Sequence, residues 1–75
     1  MKELVAVIAR ALVDHPEAVV TNEKQGERQL VVELHVAEDD MGKVIGRQGR
    51  IAKAIRTVVK AAALREDKKV TVEIV

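Results

Sequence analysis

Three of the four glycines in this 75-residue chain fall within eight residues, Gly42-Lys43-Val44-Ile45-Gly46-Arg47-Gln48-Gly49. The residues around them are mostly good helix formers, so the glycines fix where a helix must stop and restart. The spacing predicts a short helix over Met41–Ile45, a tight turn over 46–49, and a longer helix from Gly49 or Arg50 to Leu64. Glycine tolerates φ > 0 and has no Cβ to hold a ligand away. The helix that follows offers N–H groups and the positive end of its dipole to an anion. Backbone can approach a phosphate at such a turn.

The charge distribution points to the same place. Seven of the 13 basic residues (Lys43, Arg47, Arg50, Lys53, Arg56, Lys60 and Arg65) lie between Met41 and Arg65, where there is no acid. The rest of the chain holds the other six and all 12 acidic residues, so a net charge of +1 conceals a +7 segment against a −6 remainder. A solvated helix face also carries charge, but this segregation gives the molecule a directed field suited to a polyanion. On a helical wheel, Ile51, Ile55, Val58, Val59 and Ala62 fall on one side of the longer helix. Arg50, Lys53, Thr57 and Lys60 fall opposite, with Arg56 at the flank. The aliphatic stripe is expected to dock on a sheet and leave the basic stripe in solvent. Arg50 and Lys53 occupy the first turns, where cations oppose the helix dipole. An anion bound there would offset that local cost.

Elsewhere, Leu4, Val5, Ile8, Ala11 and Leu12 form one face of a helix over Met1–Asp14, which Pro16 stops by disfavouring helical geometry at His15. Ala18–Asn22 and Arg28–Ala37 read as strands around Glu23-Lys24-Gln25-Gly26-Glu27, a hairpin candidate. In the second strand Leu30, Val32, Leu34 and Val36 alternate with Val31, Glu33, His35 and Ala37, so one side faces a core. Glu38-Asp39-Asp40 is expected to end that strand and cap the short helix. A last strand, Val70–Val75, places Val70, Val72 and Ile74 together. The order α-β-β-α-α-β predicts an α+β fold, a three-stranded sheet with three helices packed on one face and the other face open. One domain spanning residues 1–75 is expected. Its core must be aliphatic: 48% of residues are hydrophobic, yet Phe, Trp and Tyr are absent.

Several functions lack the residues they need. There is no cysteine for a disulfide or thiolate site, and no serine nucleophile. Thr21, Thr57 and Thr71 have no base near them in any motif. His15 and His35 have no second ligand at a metal-like spacing. A P-loop ending in G-K-[ST] is absent. The expectation is a non-enzyme with no catalytic residues, metal or cofactor. No apolar run approaches the ~18 residues that span a bilayer, and Met1–Asp14 lacks a signal-peptide layout, so a soluble cytoplasmic protein without membrane contact is expected.

The segment from Gly42 to Ile51 resembles the signature of the KH domain, whose G-x-x-G loop clamps about four nucleotides of single-stranded RNA or DNA. The element order resembles the type II, prokaryotic form. The resemblance covers the whole chain, which is similar to the small stand-alone bacterial KH proteins of the KhpA family. It implies that Gly46 and Gly49 frame the loop and that the backbone of Arg47 and Gln48 approaches phosphates. Lys43, Arg50 and Lys53 would border the path, and Ile45 would supply an aliphatic floor. Its neighbours Val44 and Ile51 read as core packing. The edge of the strand ending at Val36 would form the far wall, and Leu64–Lys69 the variable loop. The family likeness further implies single-stranded RNA as partner, a homodimer or a heterodimer with a larger KH-containing protein, and a role in post-transcriptional control or as an RNA chaperone. Two alternatives stay open: a KH-fold dimerisation module with RNA binding secondary, and a single-stranded DNA binder. Without aromatic rings, bases cannot stack on side chains. Recognition must then rest on phosphate, aliphatic and backbone contacts, with modest affinity and a steep salt dependence.

Overall fold

The computed structural model describes residues 1–75. Helix α1 (Lys2–Leu12) leads through a 3-10 turn at Pro16–Ala18 into strand β1 (Val20–Gln25), which turns back as β2 (Leu30–His35). A second 3-10 turn, Glu38–Asp40, precedes the five-residue helix α2 (Met41–Ile45). Helix α3 (Arg50–Arg65) and strand β3 (Val70–Ile74) complete the chain. The predicted α-β-β-α-α-β order is present.

The sheet order is β1-β2-β3. Strands β1 and β2 pair antiparallel across the short turn, whereas β2 and β3 run parallel, in register from Leu30↔Val70 to Leu34↔Ile74. A parallel pair needs a crossover between its strands, and α2 with α3 provides it. Because β2 is the middle strand, its side chains of even number pack inward: Val32 and Leu34 are fully buried. They meet Val5, Ala6 and Ala9 of α1, Val44 of α2, and Ile55 and Val59 of α3. The other sheet face is open and carries the Lys24–Glu33 ion pair.

Several expectations about the elements need correction, among them the end of the first strand, which runs on to Gln25. The first strand begins at Val20 and not at Ala18, because Pro16 starts a 3-10 turn that consumes Glu17 and Ala18. Proline's fixed φ and missing N–H suit such a first position. The helix before it ends at Leu12, with Val13 already extended. On α3 the buried residues are Ala52, Ile55, Val59 and Ala63, while Val58 is 48% exposed. Small alanines, which a search for large apolar residues undervalues, let α3 lie close to its neighbours, so the stripe is rotated from the one predicted. Lastly, Asp40 makes no side-chain cap to α2; its carboxylate is used elsewhere.

Candidate nucleic-acid interface

The turn between α2 and α3 is built from left-handed backbone. Gly46, Gln48 and Gly49 have φ of 76°, 58° and 72°. Gly46 also has ψ of 175°, a combination that only glycine adopts readily. It ends α2, its N–H bonding to the Gly42 carbonyl at 2.8 Å. Gly49 then serves as the N-cap residue of α3, and its own N–H bonds to the Gly46 carbonyl at 3.2 Å.

Around this turn the charge is positive and unopposed. The first turn of α3 has neither an acidic residue nor a side-chain cap, so the positive end of a 16-residue helix faces outward uncompensated. Arg47, Gln48, Arg50 and Lys53 are exposed. Arg50 Nη2 donates to Gln48 Oε1 at 3.3 Å. No carboxylate pairs with Arg47, Arg50 or Lys53.

Lys43 stands apart from the other candidate residues. Its ammonium lies 3.0 Å from Asp14 Oδ2 and 3.5 Å from Asp40 Oδ1. Hydrogen bonding and attraction to Asp14, reinforced by Asp40, raise its pKa above the ordinary lysine value. The Asp40 pair is visible in the sequence at i,i+3 spacing, whereas Asp14 is 29 positions away in the chain.

Aliphatic surface is present on both flanks. Ile45 is partly exposed beside the turn, whereas Val44 is fully buried in the core. Ile51 is half-buried directly beneath Gly46. The strand ending near Val36 does not offer a free edge, since β2 is hydrogen-bonded on both sides. The available edge belongs to β3. Arg56 Nε on α3 donates to the Val72 carbonyl there at 3.3 Å, and Lys60 lines a hollow with Val70 and Thr71 of the same strand. Toward the far end of α3, Lys68 and Lys69 line this hollow with Leu64 and Val70. Arg56 therefore reaches the β3 edge, although the sequence placed it only at the flank of the basic stripe. Its i+3 and i+4 spacing from Lys53 and to Lys60 was the available signal.

Comparison with known proteins is decisive for the family. The family model described as "KhpA/KhpB, KH domain" matches residues 2–74. This chain belongs to that family. The RNA-binding protein KhpA of Clostridium perfringens is 67% identical over 75 residues, covering all of both chains. That of Caldanaerobacter subterraneus is 64% identical over the same full lengths, and that of Listeria monocytogenes 51% identical over 99% of its length. No solved structure matches the chain significantly. In this chain the sequence Gly46-Arg47-Gln48-Gly49 forms the turn between α2 and α3. The groups that could hold a polyanion in this chain (the uncapped α3 terminus, Arg47, Arg50 and Lys53) all meet at that turn. No cluster of three or more His, Cys, Asp or Glu side chains is placed to hold a metal ion, and no helix is long and apolar enough to cross a membrane.

Proposed function

We propose that this chain, as a single KH domain, binds single-stranded RNA in the bacterial cytoplasm, without catalysis and without a cofactor. The observation that carries the reading is the uncapped, acid-free N-terminus of α3 behind a left-handed turn, flanked by three unpaired cations. That arrangement supports an extended sugar-phosphate backbone lying on the turn, with phosphates near the backbone of Gly46, Arg47, Gln48 and Gly49. Arg47, Arg50 and Lys53 supply charge, and Ile45 offers an apolar surface to a base. From there the strand runs between the basic row of α3 and the open edge of β3. Lys43 acts in this reading as a strut under the turn, its charge already neutralised by two carboxylates. The relatives named RNA-binding protein KhpA support RNA over DNA as the ligand. A role in post-transcriptional control or as an RNA chaperone is consistent with a clamp that reads backbone more than sequence.

The deciding experiment compares wild type with an Arg47→Asp/Gln48→Asp double variant, using a fluorescent single-stranded RNA pool and the matched DNA pool across a salt series. Binding that is salt-sensitive in wild type and lost in a folded variant supports the reading. Equal binding by both proteins refutes the turn as the site, and preference for DNA refutes RNA as the ligand.

A second reading, a dimerisation module, is favoured by one specific observation. Leu4, Ile8 and Leu12 of α1 and Ile51, Ala54 and Val58 of α3 line a shallow apolar groove on the helical side. A second copy, or a larger KH-containing partner, would cover it and adjoin the turn at Arg50, which also lines the groove, while leaving the β3 side of α3 free. Sedimentation of wild type and of Leu12→Lys distinguishes the cases: a shift from dimer to monomer supports the interface, and identical monomers refute it.

A further inference from the structure

Asp40 is the one charged residue buried in this molecule, 1% exposed, and it lies six positions before the turn. Its two oxygens accept the backbone N–H groups of Asp14 and His15, at 3.2 and 3.0 Å. These donors sit beyond the end of α1, where no helical carbonyl or strand partner takes them. The same carboxylate meets Lys43 Nζ at 3.5 Å, and Lys43 reaches Asp14 at 3.0 Å. A single side chain therefore ties the corner between α1 and β1 to the start of α2. Helix α2 has only five residues and no side-chain cap. A helix this short does not hold its own position. It is fixed at one end by Val44 in the core and at the other by Asp40, and the phosphate-binding turn extends directly from it.

We propose that Asp40 is a positioning residue for the RNA clamp: its contacts with Asp14, His15 and Lys43 set the placement of α2 and so the geometry of the Gly46–Gly49 turn. The proposal rests on the RNA-binding reading of that turn. Asparagine has nearly the same shape but only one acceptor oxygen and no charge, so Asp40→Asn leaves one of the two N–H groups facing an amide donor. The loss falls on the placement of the turn, which amplifies it into weaker binding although residue 40 touches no RNA. A change of this kind typically carries about fivefold or more in affinity.

The test uses the full chain. Amide hydrogen exchange is measured on RNA-free wild type and Asp40→Asn, and the affinity of both for a short degenerate single-stranded RNA pool is measured where both remain folded. The expected result is faster exchange at 41–50, unchanged exchange at Val32 and Leu34 of the central strand, and binding weaker by about fivefold or more. Exchange at 41–50 that matches wild type overturns the positioning role, whatever the RNA result. Exchange that rises uniformly with unaltered affinity also overturns it, since a general structural role behaves that way. If the turn loosens but wild type binds no RNA, the RNA-binding reading fails and the functional role of Asp40 fails with it. Should Asp40→Asn not fold, wild type alone decides through reciprocity. Saturating RNA must then slow exchange of the Asp14 and His15 amides, and no change there refutes the coupling.

Discussion

Gly46 lies so close over Ile51 that a Cβ on the glycine would stand 2.6 Å from Ile51 Cγ1 and 3.0 Å from Ile51 Cβ. The obstructing atoms are near the isoleucine backbone, so rotation of a flexible tip cannot relieve them. Gly49 has a similar positive φ, but nothing lies within 4 Å of its would-be Cβ. The two glycines of one motif are therefore required for different reasons. Gly49→Ala meets backbone strain alone and is expected to cost about 1–2 kcal/mol. Gly46→Ala adds a clash to a backbone conformation that only glycine adopts readily, and is expected to cost about 3 kcal/mol or more. Urea unfolding of the two variants checks the ranking. Equal costs would mean that Ile51 does not constrain the turn.

The ion pairs of Lys43 separate it from Lys53 in a measurable way. Each phosphate neutralised on a single strand contributes about 0.7 to the slope of log affinity against log salt. Lys53→Ala is expected to weaken binding and flatten that slope by about 0.7, since Lys53 has no carboxylate partner. Lys43→Ala should leave the slope unchanged and lower the melting temperature, because its ammonium faces Asp14 and Asp40. A flattened slope for Lys43→Ala would show that RNA draws the lysine away from its partners.

The order of elements was legible from the sequence because each signal was local: glycines at a turn, alternation in β2, a proline after α1. The turn itself was legible for the same reason. Relationships between distant segments were not. Asp40 looked like a helix cap because aspartate before a helix commonly is one, and only the folded chain brings Asp14 and His15 to it. The family resemblance implies a far wall at the strand ending at Val36, and nothing in a strand's own periodicity identifies its neighbours in the sheet. The parallel pairing of β2 with β3 places Val72, and not Val36, at the open edge. The stripe on α3 was rotated because Ala52 and Ala63 carry little hydrophobic weight, yet pack tightly beneath the helix.

The end of α3 is another feature that the sequence hid. The Lys68 N–H bonds to the Ala63 carbonyl at 2.9 Å and the Asp67 N–H to the Leu64 carbonyl at 3.1 Å. This pair of bonds is a Schellman closure, whose left-handed residue is usually glycine. Here it is Asp67, at φ 55°. Asp67→Gly relieves the left-handed strain and loses some of the gain to glycine's greater unfolded entropy. A net stabilisation of about 0.5 kcal/mol is expected, read as a higher urea midpoint. Loss of stability would show that the Asp67 side chain, and not its backbone, holds the loop.

Acid sensitivity tests the buried carboxylate independently of RNA. Burial by itself raises the pKa of Asp40, but the N–H groups of Asp14 and His15 and the Lys43 ammonium outweigh it and hold the pKa below its ordinary 3.8. The folded state therefore binds the proton less readily than the unfolded chain does. The stability contributed by this ionisation is fully present above about pH 4 and is lost as pH falls through the lower folded-state value. In Asp40→Asn no such ionisation exists, while every other carboxylate is common to both proteins. The difference in urea midpoint between wild type and variant should thus be flat from about pH 7 to about pH 4 and shrink below that. A difference that grows as pH falls would require Asp40 to be more easily protonated in the folded chain, contrary to the contacts that surround it.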